Sequence, residues 1–510
     1  MRAARLTAAV GAPFLLLASC TGSSETEFRP IFRQAPCPED VTRVVLNTVT
    51  CGFLTVLENR SEPEGDTIRL FVTRIEPPGG NPAPDPVLIL GIDLGKTPDY
   101  AGFAPGAQRV NRELILLDQR GTGHSEPTLA CPEVERLGER LVEARLSDPE
   151  VRADLESAAE ACHDRMTGEG IDLSAYNVGE MAADVEDVRR ALGIPRWNIA
   201  SYGSSSRVAL EVVRRSPEHV RAMWLDTPQF PQVDGVTLGI TGTRYALTQI
   251  ADDCAADRVC SRRYPDLSNA LQEAVVRLDE EPVTVNVADT PAAEAAGHPI
   301  RVVVDGGAFL RAVRAMVSNI DLGMAPAVPA LIYRALEGDV EVVAYLLSEE
   351  PLCLGYQPVC GAQTSFEGAL FSILCHDEIP FVEASRLTAM AGGDPGFQDA
   401  YVESPYLDVC EAWDVGEATS AANRPVSSDV PMLIFVGEYD AYGPLPVAEQ
   451  AIASLSGFFL VDVPYQGHNV LGSLDCYRNI RNAWIENPTS APDTSCIEEI
   501  PPPTFASRLS

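Results

Sequence analysis

Basic side chains are scarce in this chain of 510 residues. It has 38 lysine and arginine residues against 73 aspartate and glutamate residues, so its formal net charge is −35, and Lys96 is its only lysine. Such a surface repels phosphate backbones, and the sequence contains no basic stripe to counter the repulsion. We therefore expect no nucleic-acid partner.

The N-terminal apolar run is too short to cross a membrane. A basic segment, Met1–Arg5, precedes a mostly apolar stretch from Leu6 to Leu17, which is typical of an export signal. Leu17-Ala-Ser-Cys20 resembles the lipobox of bacterial lipoproteins and implies a lipidated Cys20; an ordinary signal peptide is the alternative. We expect a signal peptide at 1–19, a tether at 20–36, and a lipid anchor in the membrane, on the extracytoplasmic face.

Paired C-x-x-C spacings, which hold structural zinc, are also absent. With Cys20 set aside, twelve of the 13 cysteines remain, and an even remainder behind a signal peptide indicates disulfides. Cys375-His-Asp-Glu378 is the only mixed cluster of metal ligands, and we expect neither a metal nor a cofactor. The sequence leaves the connectivity open; sequential pairing would give Cys37–Cys51, Cys131–Cys162, Cys254–Cys260, Cys353–Cys360, Cys375–Cys410 and Cys476–Cys496.

Strand and helix patterns alternate, stop and then resume. Strands are predicted at 67–74, 87–91, 114–117, 197–200, 221–226, 432–436 and 458–463, with helices at 180–192, 208–215 and 446–454. From about Phe230 to Asp429 the pattern is helical. This order predicts an α/β fold with a mostly parallel sheet in two parts, 37–229 and 430–496, a helical insertion at 230–429, and a Pro-rich tail at 497–510.

The segment Trp197–Arg207 has the pattern of a nucleophile elbow without its nucleophile. A strand, a turn of small residues and a helix are what the G-x-S-x-G elbow requires. In the best register Ser201 and Ser205 replace the outer glycines, and Gly203 takes the position of the serine. The Ser204–Ser206 run is otherwise explained by hydroxyls that cap the following helix.

Other motifs occur in a characteristic order. They are the D-x-R-G-x-G-x-S turn at Asp118–Ser125, the approach to the elbow at Ala191–Asn198, the helix at Glu211–Arg221, the segment Cys254–Cys260, and the pair Gly437–Asp440 with Gly467–His468. Together they resemble the secreted tripeptidyl-aminopeptidase-like branch of the proline iminopeptidase family. The resemblance implies an α/β-hydrolase fold with a helical lid, and it assigns Asp440 and His468 as the acid and base of a Ser–His–Asp triad.

Two positions depart from that family. Gly203 supplies no nucleophile, and the oxyanion loop, G-G-P-G in the family, is Gly91-Ile-Asp-Leu-Gly95 here. Ile92 and Asp93 would crowd the hole and oppose a developing negative charge, whereas Ser204 would still offer its backbone N–H. We therefore expect lost or impaired hydrolysis in a protein that binds a peptide, small ester or lipid in its pocket. The alternative is an active aminopeptidase or esterase using Ser201, or Ser204 or Ser205, with Asp440 and His468.

Overall fold

Nine strands form one twisted sheet in the order β1-β2-β3-β5-β4-β6-β7-β10-β11. The computed structural model describes residues 28–45, 48–77, 79, 81–91, 110–318, 324–349, 366–402, 405–468, 470 and 474–506. The strands of this sheet are β1 (Ile31–Ala35), β2 (Val49–Leu57), β3 (Thr67–Ile75), β4 (Val87–Leu90), β5 (Leu114–Leu117), β6 (Trp197–Tyr202), β7 (Val220–Asp226), β10 (Met432–Gly437) and β11 (Phe458–Val463). Pairs from β1 to β5 are antiparallel, and β5, β4, β6, β7, β10 and β11 run parallel.

The central strands are apolar because both of their faces are covered. Every residue of β4, β5 and β10 is buried. Alternate side chains enter two different cores, Leu88 and Leu90 on one face and Val87 and Ile89 on the other. The continuous apolar runs of the sequence therefore predicted parallel strands correctly.

Helices pack on both faces of the sheet. Asn177 caps one of them, since its Oδ1 accepts the N–H of Glu180 at 2.9 Å, and the predicted helix at 180–192 is confirmed. The helices before the insertion are α1 (Glu39–Val44), α2 (Pro132–Glu135), α3 (Gly138–Val142), α4 (Pro149–Gly168), α5 (Val178–Ala191) and α6 (Ser206–Arg215).

The chain leaves the sheet after β7 and returns to it at β10. Most of the intervening residues build one apolar core, which Val142, Tyr439 and Ala441 join from outside the insertion. Residues 369–375 and 409–415 of the insertion pack instead with residues at 129–176. Its helices are α7 (Gly235–Ala256), α8 (Arg258–Arg263), α9 (Leu267–Glu280), α10 (Pro291–Ala296), α11 (Gly306–Ser318), α12 (Val328–Leu336), α13 (Glu341–Glu349), α14 (Glu367–Ile373), α15 (Ala384–Ala391), α16 (Pro395–Phe397) and α17 (Pro405–Ala412).

The insertion is not wholly helical. An antiparallel hairpin, β8 (Val283–Val287) and β9 (Ile300–Val304), interrupts it. The hairpin forms because Val283, Val285 and Val287 alternate with polar residues in β8, and the buried side chains of β9 fall at every second residue, 300, 302 and 304, a period-two pattern that the helical prediction overlooked. Helices α18 (Leu445–Ala451) and α19 (Asp475–Trp484) follow β10 and β11.

Disulfides join the cysteines in sequential pairs. Five of the six sequential pairs are present: Cys37–Cys51, Cys131–Cys162, Cys254–Cys260, Cys375–Cys410 and Cys476–Cys496. Cys353 and Cys360 lie outside the described residues, as do Cys20 and the predicted leader. Within the described segments, every helix is too short or too polar to traverse a bilayer.

Candidate active site

The turn after β6 has the geometry of a nucleophile elbow. β6 lies between β4 and β7 in the parallel part of the sheet. Its last residue is Tyr202, and the chain turns at once through Gly203–Ser205 into α6. Gly203 has a φ of +51°, a left-handed conformation that glycine adopts freely and that costs other residues energy. The register predicted from the sequence, with Gly203 at the tip, agrees with this turn.

Two of the neighbouring serines are bonded into the scaffold. Ser201 lies within β6, is 0% exposed, and donates to Ser206 Oγ at 3.2 Å. Ser205 donates to the carbonyl of Gly91 and accepts from Gln119 Nε2 at 3.3 Å. Ser204 is the half-buried member of the turn. For Ser205, at the N-cap of α6, the predicted capping role is wrong, since its side chain makes no cap bond; its hydroxyl instead ties the turn to the end of β4.

Asp440 and His468 come together as the sequence predicted. Asp440 follows β10, His468 lies in the loop after β11, and Asp440 Oδ1 is 3.0 Å from His468 Nδ1. The same oxygen accepts the N–H groups of Tyr442 at 2.8 Å and Gly443 at 3.1 Å. Both side chains are buried, at 0% and 1% exposed. The carboxylate thus fixes the proton on Nδ1 and leaves Nε2 as the basic nitrogen.

Backbone contacts at the end of β10 place the His468 loop. A Cβ on Gly437 would lie 2.2 Å from the carbonyl oxygen of Gly467 and 2.3 Å from that of Gln466. Tyr439 N–H donates to the same Gln466 carbonyl at 2.8 Å. Only glycine allows this approach, so Gly437 sets the distance between the segments that carry the acid and the base.

Two family models match the chain around these segments. One, described as an alpha/beta hydrolase fold, matches residues 90–244, which include the β6 turn. The other, described as TAP-like protein, matches residues 394–496, which include Asp440 and His468.

The chain belongs to the TAP-like α/β-hydrolases.

Curated relatives of this TAP-like chain include serine peptidases. Serine protease Hip1 of Mycobacterium tuberculosis is 26% identical over 230 residues, which are 41% of this chain and 42% of that protein. Tripeptidyl aminopeptidase of Streptomyces lividans is 26% identical over 208 residues, 37% of each chain. A crystal structure of proline iminopeptidase from Mycobacterium smegmatis is 14% identical, with a TM-score of 0.38, and the match covers 86% of this chain and 98% of that one. The matched region is less than half the length of either curated relative.

The D-x-R-G-x-G-x-S motif of this TAP-like chain supports the elbow from below. Arg120 is fully buried and forms a two-pronged pair with Asp184 of α5, at 2.7 and 2.8 Å. Ser125 donates to the Asp118 carbonyl at 2.6 Å, which closes the turn. Gln119, which lies between Asp118 and Arg120 in the motif, donates from its Nε2 to Ser205 Oγ. The motif is therefore part of the scaffold, and its link to the site is the Gln119 amide.

An aromatic ring and a guanidinium group lie beside the acid and the base. The Tyr442 ring packs on the His468 ring, with centroids 5.1 Å apart. Above Tyr442, the guanidinium carbon of Arg314 lies 3.8 Å from the ring centroid. Arg314 belongs to α11 of the insertion, so this contact connects the insertion to the His468 loop.

Burial shifts several pKa values near this loop. Burial raises the pKa of Glu438, whose carboxylate accepts the Tyr465 N–H at 2.9 Å. The pKa of Tyr439 is raised by burial and by its hydrogen bond to Asp253. Tyr439 therefore keeps its proton at neutral pH, and its hydrogen bond to Asp253 joins the loop to α7.

The mixed cluster Cys375–Glu378 is occupied by structural contacts. Cys375 is in a disulfide, Asp377 accepts the Val178 N–H at 3.0 Å, and Glu378 pairs with Arg207 at 2.8 Å. In the described segments, the one group of side chains with metal-ligand spacing is Cys131, Glu133 and Cys162. Its two cysteines are joined in a disulfide, so they offer no thiolate.

A cavity of about 250 Å³ lies elsewhere on the molecule. It is lined by residues that include Arg207, Glu211, His376 and Asp377. Neither Asp440, His468 nor any residue of the Gly203–Ser205 turn lines it. This cavity is therefore separate from the elbow and from the Asp440–His468 pair.

Sequence reasoning missed several residues at the site. Asp226, at the end of β7, accepts the Val470 N–H at 2.9 Å and holds the far side of the His468 loop. Tyr442 and Arg314 were also missed, and Gly437 was named only as the first residue of the Asp440 motif. A G-E-Y-D-A-Y spacing that puts an aromatic residue just after the acid was the one available signal. Ile92 and Asp93 lie outside the described residues, and their predicted effect on the oxyanion loop stays a prediction.

Proposed function

We propose that this chain is a TAP-like α/β-hydrolase that binds a ligand beside Asp440 and His468 and lacks the acylation step of serine hydrolases. Gly203 at the left-handed tip of the elbow carries this proposal, because that tip is where the nucleophile must stand. The hydroxyls of Ser201 and Ser205, which flank it, are engaged in scaffold hydrogen bonds. Neither is held ready for attack on a carbonyl.

The names of two relatives support one ligand class for this proposal. A tripeptidyl aminopeptidase acts on peptides, and the corresponding proposal for this chain is a short peptide; a small ester or a lipid is the alternative. The Asp440–His468 pair would then serve as a hydrogen-bonding group, with Nε2 as its acceptor. In a buried site water competes poorly for such a group, so its hydrogen bond contributes more to the binding of a ligand.

One observation favours a second candidate function, an active aminopeptidase or esterase. The Asp440–His468 pair keeps its 3.0 Å contact and its backbone donors, which a ligand-binding protein does not need in full. In that case the nucleophile would be Ser204, the half-buried serine of the turn. Ser201 is less suited, since its hydroxyl lies inside β6.

Labelling with a fluorophosphonate probe separates the two functions. We expect the purified mature protein to show no labelling by mass spectrometry, because the probe requires an activated serine. Gly203→Ser should restore labelling at residue 203, since His468 and Asp440 remain in place. The matched control is Gly203→Ser combined with His468→Ala, which should not label.

The outcomes are distinct. Labelling of the wild-type chain at Ser204, lost in His468→Ala, would replace the first proposal with the second. Absence of labelling in both the wild type and Gly203→Ser would mean that the oxyanion loop is closed as well, and binding would remain the proposed function. Binding itself is then measured by calorimetry with tri-L-alanine.

We also propose that the protein is exported and anchored to the membrane through Cys20. The disulfides support an oxidising compartment, and the lipobox-like segment supports lipidation. Metabolic labelling with an alkyne-tagged fatty acid tests this: the wild type should incorporate it, and Cys20→Ser should not. Equal incorporation in both would overturn the anchor, as would its absence from the wild type.

A further inference from the structure

Two arginines of the insertion are buried side by side. Arg311 and Arg314 stand three residues apart on α11, so they share one face of that helix. They are 7% and 2% exposed. Arginine is rarely buried to this extent without a paired anion.

Neither guanidinium has an acidic partner among the described residues. Nη1 of Arg311 and both Nε and Nη1 of Arg314 lie buried without a hydrogen-bond acceptor in that part of the chain. The ion pairs between described side chains include neither residue. What Arg314 does contact is aromatic: the rings of Tyr442, at 3.8 Å, and Tyr401, at 5.6 Å.

Aromatic contacts alone do not compensate for the free-energy cost of burying two guanidinium groups. A cation–π contact returns only part of the cost of removing a guanidinium from water. Two neighbouring cations on one helix face also repel each other, and burial strengthens the repulsion. An anion bound between them would remove both penalties, and the planar fork of an arginine fits a carboxylate in a two-pronged geometry.

The position of the pair indicates which anion. Arg314 packs on Tyr442, and Tyr442 packs on His468, so the guanidinium lies one aromatic ring away from the Asp440–His468 pair. We propose that Arg311 and Arg314 form a carboxylate-binding site for the ligand held beside His468, so that the ligand carries a free carboxylate. This inference rests on the proposed ligand-binding function, and a short peptide with a free C-terminus meets the requirement.

The chain offers a matched control in Arg244. It lies in α7 of the same insertion and stacks on Phe397 at 4.3 Å. Its guanidinium, however, donates to the carbonyls of Met390 and Ala391. Arg244→Gln therefore removes one cation from the same layer without removing an unpartnered donor.

The first measurement compares tri-L-alanine with tri-L-alaninamide by calorimetry. Charge-assisted hydrogen bonds predict that the amide binds the wild type about ten- to one-hundredfold more weakly. The general negative charge of the protein favours the amide, so it works against this result. Arg314→Gln and Arg311→Gln should each reduce the difference to within about threefold, whereas Arg244→Gln should keep it. Equal binding of acid and amide by the wild type would overturn the inference, as would an unchanged difference in both site variants.

A second measurement needs no peptide. Sodium acetate should raise the unfolding temperature of the wild type above that in sodium chloride of equal ionic strength, and Arg314→Gln should abolish the difference. If neither peptide binds but acetate stabilises, the carboxylate site stands and the peptide ligand fails. Stabilisation by sodium phosphate alone would reassign the site to a phosphate and overturn the proposal, and no effect of either anion would also overturn it. Should Arg314→Gln not fold, the wild-type comparisons and Arg311→Gln decide.

Discussion

Gly203 shows how a hydrolase scaffold can persist without its nucleophile. In an active elbow, a serine is held in a left-handed conformation that costs about 1–3 kcal/mol. Gly203, with a φ of +51°, adopts the same turn conformation without that strain. The replacement therefore removes the nucleophilic hydroxyl and the backbone strain together, and the surrounding fold can stay unchanged.

Gly203→Ala should lower the free energy of unfolding by about 1–2 kcal/mol, the cost of a left-handed conformation for a residue with a Cβ. Urea unfolding measures it. Gly168→Ala is the control, since nothing lies within 4 Å of a Cβ there and no positive φ is required. If both variants have the stability of the wild type, the turn is not strained as described.

Glu367 makes the free energy of unfolding of the protein depend on pH. Its carboxylate is buried and accepts the Cys131 N–H at 3.1 Å; burial raises its pKa from 4.5 to about 7. Between these values the folded state holds a proton that the unfolded state has released. The free energy of unfolding should therefore fall as pH rises from about 4.5 to about 7 and then level off.

Glu367→Gln should remove this dependence. At pH 8 the variant should be more stable than the wild type by up to about 3.5 kcal/mol, because each unit of pKa shift corresponds to about 1.4 kcal/mol. At pH 4 the two should be equally stable. Urea unfolding across this pH range tests it, with the exposed Glu281→Gln as control. A variant that is less stable than the wild type at pH 8 would contradict the argument.

At the level of elements, the acid and the base depend on how β10 meets the loop after β11. Gly437 is the last residue of β10, and the Gly467 and Gln466 carbonyls lie against it. A second close contact holds the next segment, since a Cβ on Gly242 of α7 would be 2.2 Å from the Ala441 carbonyl. The Asp440 segment is thus fixed between the His468 loop on one side and the insertion on the other.

Gly437→Ala should separate Asp440 from His468. Its Cβ would meet backbone oxygens, which cannot turn away as a side chain does, so we expect about 1–3 kcal/mol of destabilisation. The downfield NMR signal of the Nδ1 proton in the Asp440–His468 hydrogen bond should weaken or move. In Gly168→Ala that signal should be unchanged, and its persistence in Gly437→Ala would show that the loop adjusts elsewhere.

Elements were predicted best where the pattern is local. The strand at 67–74 and the helix at 180–192 follow from apolar periodicity, and the strand at 114–117 follows from a continuous apolar run. The Asp440–His468 pair follows from motif order. The contacts of Tyr442, Arg314 and Gly437 could not be predicted in this way, because they join segments far apart in the chain. The hairpin β8–β9 was missed because its short period-two pattern lies among helices.

At the scale of the whole molecule, the C-terminal segment connects the sheet to the insertion. The Cys476–Cys496 disulfide holds the start of this segment to α19 beside the sheet. Further on, Ala506 N–H donates to the Pro326 carbonyl and Tyr264 Oη donates to the Ala506 carbonyl, both at 3.0 Å. Phe505 packs against the apolar core of the insertion. Since α11 of that insertion carries Arg311 and Arg314, the tail helps to hold them over the His468 loop.

Removal of residues 503–510 should loosen the insertion without unfolding the sheet. Among the described residues, the lost contacts include two hydrogen bonds and one partly buried phenylalanine, for which we expect about 1–3 kcal/mol. Amide hydrogen exchange should accelerate around Tyr264 and in α12, next to Pro326, while β4, β5 and β10 stay protected. Removal of residues 507–510 alone is the control, since it leaves these contacts in place. If the longer truncation exchanges at the control's rate in α12, the tail does not hold the insertion, and the position of Arg311 and Arg314 depends on helix packing alone.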